Sequence, residues 1–214
     1  MQFLDRLIGQ QIRKPSGFLG SLLGHLMAAG HKELTDWTLD ELQIKNNDYV
    51  LDIGCGSGLA IEQLNMIATD GYIVGIDYSH TMLRQAAKRN RLAISKGKTK
   101  LCYGNVSKLS FADASFDKAC AIETFYFWPN PSDNLQEVRR VLRPGGSVAI
   151  SMEISKEGTN RMSIEDNARR IGIPIYSGEE MKSLLFAAGF IHVSYKAIPE
   201  REKGWLCAVG SVQN

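Results

Sequence analysis

Two acids and a set of glycines are the residues best suited to chemistry. Asp52 sits in Val50-Leu51-Asp52-Ile53, which runs into Gly54, Gly56 and Gly58 at alternate positions, and Asp77 closes the next apolar run, Tyr72-Ile73-Val74-Gly75-Ile76. A glycine turn tolerates positive φ and, lacking Cβ, lets a ligand lie against bare backbone. The spacing is Gly-x-Gly-x-Gly, whereas the dinucleotide fingerprint is Gly-x-Gly-x-x-Gly. Asp77 stands where a carboxylate could accept hydrogen bonds from both hydroxyls of a ribose. The expected ligand is therefore of nucleotide type.

The elements that must hold these residues follow from periodicity. Tyr49 to Ile53 reads as a buried strand, and Leu59, Ile61, Leu64 and Ile67 mark the helix that leaves the turn. Ser79 caps a helix through Met82, Leu83 and Ala86 toward Lys96. Leu101-Cys102-Tyr103 and Phe116 to Ile122 are strands. A helix from about Ser132 carries Leu135, Val138 and Leu142 on its buried face; Arg143-Pro144-Gly145-Gly146 then turns into a strand over Ser147 to Met152. Ser177-Gly178-Glu179-Glu180 has capping-box spacing and starts a helix to Gly189. Two strands follow, Ile191 to Ile198 and Trp205 to Val212. The short loop between them favours an antiparallel pair, because a parallel pair needs a long crossover. The expected fold is an α/β, Rossmann-like three-layer sandwich with seven strands, mostly parallel, the last antiparallel.

Residues 1–46 read as helices ahead of the first strand. Phe3, Leu4, Leu7, Ile8 and Ile12 form one stripe, and Phe18 to Gly30 is apolar nearly all round. The domain reading is a single unit: a helical lid or cap at 1–46, a cofactor-binding core at 47–152, and a helix with a strand pair at 153–214. The chain's 214 residues suit one well-cored domain. A net charge of +2 speaks against a nucleic-acid footprint. Cys55, Cys102, Cys120 and Cys207 are scattered, which suggests free thiols in a reducing cytoplasm. No stretch has the length of a membrane span, though Phe18 to Ala29 leaves contact with a membrane surface open.

These motifs, in this order, resemble class I S-adenosylmethionine-dependent methyltransferases of the broad small-molecule type. Val50 to Gly58 resembles the family's first motif, Gly75-Ile76-Asp77-Tyr78-Ser79 with Met82-Leu83 its second-strand signature, and Leu142-Arg143-Pro144-Gly145-Gly146 its turn before strand five. The resemblance implies S-adenosyl-L-methionine as cofactor and a small-molecule methyl acceptor, with no metal required. It implies that Asp52, Gly54, Cys55, Gly56 and Gly58 surround the methionine part and that Asp77 holds the ribose. Tyr78 and Met82 would pack on the adenine, and Asn105 and Val106 would meet its edge. Asn105 stands where the family often has an acid. Ile122 and Glu123 would line the path to the methyl group. Where the acceptor carries a proton, Glu123, Tyr126, His25 and His31 are candidate bases. The aromatic run Phe125-Tyr126-Phe127-Trp128-Pro129 could wall a planar substrate. Three rival readings stand beside this one: a nicotinamide oxidoreductase, a cofactor-binding protein without catalysis, and a methyltransferase acting on a membrane lipid or quinone.

Overall fold

The structure, a computed structural model, describes residues 31–201 and 203–214. The first described helix, α1 (Lys32–Leu42), is followed by β1 (Tyr49–Ile53), α2 (Leu59–Ile67), β2 (Tyr72–Asp77), α3 (His80–Arg89), α4 (Arg91–Ser95) and β3 (Thr99–Tyr103). The second half comprises β4 (Phe116–Ile122), a single 3₁₀ turn (Phe125–Phe127), α5 (Pro131–Val141), β5 (Leu142–Met152), α6 (Arg161–Ile171), α7 (Gly178–Ala187), β6 (Ile191–Ile198) and β7 (Trp205–Ser211).

The seven strands form one sheet in the order β3-β2-β1-β4-β5-β7-β6. Strands β1 to β5 pair in parallel, and β7 runs antiparallel to both β5 and β6. The terminal reversed strand is thus as expected. Successive strand residues face opposite sides of the sheet. Leu51, Ile53, Val74, Ile76, Ala119, Val148 and Ile150 face α5 and α7, which supply Leu135, Val138, Val141, Met181 and Leu185. Val50, Ile73, Cys120, Ala149 and Cys207 face the other side, where α1 and α2 supply Leu39, Leu42, Ile61 and Leu64. Both faces of the central strands are covered, so those strands read as continuous apolar runs.

Local rules account for several boundaries. Ser79 caps α3 by accepting from the Met82 N–H at 3.3 Å. The capping box at α7 is complete: Ser177 Oγ accepts from the Glu180 N–H at 3.2 Å, and Glu180 Oε2 accepts from the Ser177 N–H at 2.7 Å. Two features differ from the sequence reading. Leu142 belongs to β5 and Val141 completes the buried face of α5, because the ladder with β4 begins at Phe116 opposite Leu142 and then shifts register before Lys118. The segment Arg143 to Gly146 is therefore an irregular start to the strand and not a turn ahead of it. Helix α6 was also unassigned. Among its described side chains it buries only Ile164 and Ala168 while Met162 is exposed, too narrow an apolar stripe to register against its charged residues.

Helix α1 matters most for the site. It buries Leu34, Thr35, Thr38, Leu39 and Leu42 and lies across β4, β5 and β7. Thr38 Oγ1 donates to either Leu34 O or Ser151 Oγ, both at 2.6 Å, tying the helix to β5. The expected helices over 3–12 and 18–30 lie outside the described residues.

Candidate active site

The strand order reverses between β1 and β4, so their carboxyl ends open a crevice where ligands of such sheets bind. A cleft forms there, lined on one side by Asp52, Gly54, Cys55, Gly56, Asp77, Tyr78, Met82, Asn105 and Val106, and on the other by His31, Thr35, Ile122, Glu123, Phe127 and Trp128.

The glycine turn is stapled to β2. The N–H groups of Gly54 and Cys55 both donate to Ile76 O, at 2.8 and 3.0 Å. All three glycines have positive φ, but only at Gly56 would an added side chain meet open space. A Cβ on Gly56 would meet nothing nearer than Gly54 O at 4.0 Å, whereas one on Gly54 would strike Thr124 and one on Gly58 would strike Asn90 and Ala86. Gly58 does not line the cleft. Its bareness serves the close approach of α3, which Asn90 secures by donating to Gly58 O at 2.9 Å. The structure thus moves Gly58 from the cofactor surface to the packing behind it.

The two acids of this side differ in how they are held. Asp77 accepts from the Gly56 N–H at 2.9 Å through Oδ2 and from the Ser79 N–H at 2.7 Å through Oδ1. Burial raises its pKa, and these N–H groups pull it back. Asp52 is deeper. Its Oδ1 has only the Cys120 thiol at 3.7 Å, and its Oδ2 is buried with no hydrogen-bond partner among the described residues. Burial, with the nearby Asp77 charge adding, pushes its pKa up to about 7. Cys55 is buried with its thiol pushed well up by burial, and acts as a small apolar wall. Met82 is buried and Ile122 half-buried. Asn105 is exposed, and its Oδ1 already accepts from the Ser107 N–H at 2.9 Å, which sets the side chain at the cleft rim.

The opposite side is a network of charges. Glu123, immediately after β4, has φ of 59°, a left-handed conformation rare for a residue with a side chain, and strain of this kind clusters at functional sites. Its Oε1 accepts from Tyr126 Oη at 3.2 Å and, in a very short contact, from the Glu153 N–H. His31 Nε2 lies 3.5 Å from Glu153 Oε2 and 3.8 Å from Glu123 Oε2. Lys203 Nζ donates to Glu153 Oε1 at 3.0 Å. Burial alone would lower the His31 pKa, but hydrogen bonding to Glu153 and the charges of both glutamates outweigh it and leave it raised. Glu153, bonded to His31 and Lys203, is held at about 2, whereas burial raises Glu123.

Among the expected catalytic residues, Glu123 faces the cleft. Tyr126 does not: it is buried, bonds to both Glu123 and Ile154, and so acts on Glu123 from behind. His25 lies outside the described residues. The aromatic run divides, with Phe127, Trp128 and Pro129 on the cleft while Phe125 is fully buried against Tyr176. Glu153 and Lys203 were missed. Glu153 follows β5 directly at the carboxyl edge, a position that the fold rule marks. Lys203 carried no signal, because only the return of β7 beside β5 brings it near. His31, Glu123 and Glu153 also place one ligand atom each within 4.8 Å of one another, a set able to approach a cation.

Comparison with known proteins places the chain in a family. The methyltransferase domain family matches residues 51–150. The chain is 30% identical over 132 residues to the uncharacterized methyltransferase YdaC of Bacillus subtilis, covering 62% of this chain and 71% of that protein. It is 31% identical over 151 residues to the O-methyltransferase rstn1 of Aspergillus nomiae, covering 70% and 67%. It spans 54% of the O-methyltransferase resE of Aspergillus sclerotiorum. A phosphoethanolamine N-methyltransferase 2 of Haemonchus contortus, solved with S-adenosyl-L-methionine, shares the fold with a TM-score of 0.74 at 16% identity, over 85% of this chain and 53% of that one. The chain belongs to the class I S-adenosylmethionine-dependent methyltransferases, and S-adenosylmethionine is its cofactor.

Proposed function

We propose that the protein transfers the methyl group of S-adenosylmethionine to an oxygen of a small-molecule acceptor held between the aromatic rim and the His31 side of the cleft. The observation that carries the reading is the buried Oδ2 of Asp52, without a partner among the described residues, on the cleft wall beside the bare backbone of Gly56. An orphaned acceptor of this kind costs stability unless a ligand donates to it, and the cationic amino-acid end of the cofactor is such a donor. Asp77 would hold the ribose hydroxyls with the lone pairs left beside its backbone N–H bonds, Tyr78 and Met82 the adenine faces, and Asn105 and Val106 the adenine edge.

The cofactor supplies a methyl group already activated on a sulfonium. The protein's task is alignment, and holding two reactants together supplies roughly 7 to 11 kcal/mol of a barrier. Ile122, Phe127 and Trp128 exclude water from the meeting point. The O-methyltransferase names of the relatives favour oxygen as the nucleophile. We take residues 1–46 as a cap over this cleft, 47–152 as the cofactor core and 153–214 as two closing helices with the strand pair. Four free cysteines, three of them buried, support a reducing, cytoplasmic setting. No helix among the described residues is long and apolar enough to cross a membrane.

Calorimetric titration with S-adenosylmethionine, with NAD as control, tests the reading. Micromolar binding of the first alone is expected. Binding of NAD alone, or of neither by folded protein, would overturn it.

A further inference from the structure

We infer that His31 is the base that takes the acceptor's proton, that Glu153 and Glu123 hold its ring for the task, and that the acceptor nucleophile is a hydroxyl. The inference rests on the methyltransferase reading above and assigns a residue to its proton.

The argument is geometric. His31 precedes α1 and reaches the carboxyl ends of β4 and β5, lining the cleft together with Glu123, Thr35 and Phe127. Its Nε2 is turned toward two carboxylate oxygens, at 3.5 and 3.8 Å. We assign Nδ1 to the substrate, by the logic in which a carboxylate on one nitrogen fixes the tautomer of a catalytic imidazole and stabilises the imidazolium once formed. Both carboxylates are themselves anchored through their other oxygen: Glu153 Oε1 accepts from Lys203, and Glu123 Oε1 from Tyr126 and the Glu153 N–H. A ring that lines the cleft and has one nitrogen beside two carboxylates is suited to receive a proton.

The balance is simple. As the acceptor oxygen bonds to the incoming methyl carbon, its O–H bond breaks and the proton passes to Nδ1. The electron pair of the carbon–sulfur bond stays on sulfur. One positive charge thus leaves the sulfonium and one appears on His31, between two carboxylates placed to receive it. The groups that set the basicity of His31 come from every described element around it: Glu123 after β4, Tyr126 on the 3₁₀ turn, Glu153 after β5 and Lys203 before β7.

The test uses the full-length protein with labelled-methyl S-adenosylmethionine and a panel of phenols that includes catechol and 7-hydroxycoumarin, alongside simple alcohols. His31→Gln and His31→Ala should each lower kcat at least about 100-fold, the usual scale for a lost general base, with S-adenosylmethionine affinity by calorimetry unchanged. Glu153→Gln should move the low-pH limb of the kcat profile to lower pH, because the carboxylate that raised the imidazole pKa is gone, and the His31 ring titration followed by NMR should move with it. Near-normal kcat in His31→Gln would overturn the assignment, as would a pH profile that Glu153→Gln leaves in place. Activity abolished by a chelator and restored by Mn²⁺, with Mn²⁺ binding lost in His31→Gln, would overturn it in favour of a cation site. Transfer to none of the hydroxyl acceptors by wild-type protein that binds S-adenosylmethionine would overturn the hydroxyl class. Failure of wild-type protein to bind S-adenosylmethionine would instead bring down the methyltransferase reading on which the inference stands.

Discussion

The two walls of the cleft handle buried charge in opposite ways. On the cofactor wall, Asp77 has only backbone N–H partners and Asp52 keeps one oxygen unpartnered, so burial leaves both acids with raised pKa values. On the acceptor wall, His31, Glu123, Glu153 and Lys203 answer one another, and Glu153 is held at about 2. The first wall is incomplete without a ligand that donates hydrogen bonds or carries positive charge. The second answers its charges among its own side chains. Under the proposed function, binding and proton transfer fall to different sides of one cleft.

That contrast can be broken or sharpened by substitution. Beyond the loss of turnover at His31, the largest effect is expected at Asp77. Asp77→Ala should weaken S-adenosylmethionine by about 1 to 3 kcal/mol, roughly 5- to 150-fold, as buried ligand hydroxyls lose their acceptor. Calorimetry checks this, and unchanged affinity would remove Asp77 from the ribose role.

Asp52 should make binding depend on pH. With its pKa near 7, the carboxylate is protonated in acid, so affinity for the cationic cofactor should fall as pH drops below about 7, by at most roughly tenfold per unit. Its effect on the ligand-free fold has the opposite sense. A carboxyl whose folded pKa is raised contributes stability at low pH that is lost as pH rises through the folded value. Asp52→Asn should therefore flatten the pH dependence of binding and raise the ligand-free melting temperature at pH 8. A thermal scan with and without cofactor measures both, and a lowered melting temperature at pH 8 would contradict the account.

A glycine pair separates binding from packing. Gly58→Ala forces a side chain at φ of 79° against Asn90 and Ala86, and should cost roughly 1 to 3 kcal/mol of stability. Gly56→Ala meets open cleft, so its larger loss should be in cofactor affinity. Denaturant melts and calorimetry on the two variants should give opposite rankings.

The smallest change is expected behind the acceptor wall. Tyr126→Phe removes the hydroxyl that bonds Glu123 and Ile154, and should cost about 0.5 to 1.5 kcal/mol in stability with a modest fall in kcat. Loss of turnover as deep as that of His31→Gln would make Tyr126 more than a support.

The glycine-turn side of the cleft was legible because it is local. Val50 to Gly58 is one strand and one turn, and Asp77 ends the neighbouring parallel strand, so periodicity and glycine spacing are enough to place both. Gly58 misled because its spacing matches Gly56, while the approach of α3 that demands it leaves no mark on its neighbours in sequence. Tyr126 misled for a similar reason: it shares an aromatic run with Phe127 and Trp128, but a 3₁₀ turn sends its side chain behind the cleft wall.

What the sequence by itself determined is the sheet, its reversed last strand, the glycine turn and the two acids, since each depends on patterns within one element or between consecutive ones. The tertiary structure decided the acceptor wall. His31, Glu123, Glu153 and Lys203 come from four segments, and only the laying of α1 across β4 and β5 and the antiparallel return of β7 beside β5 bring them within ion-pair distance. Long-range electrostatic partnership has no period along a chain, so it becomes visible only when the sheet has closed.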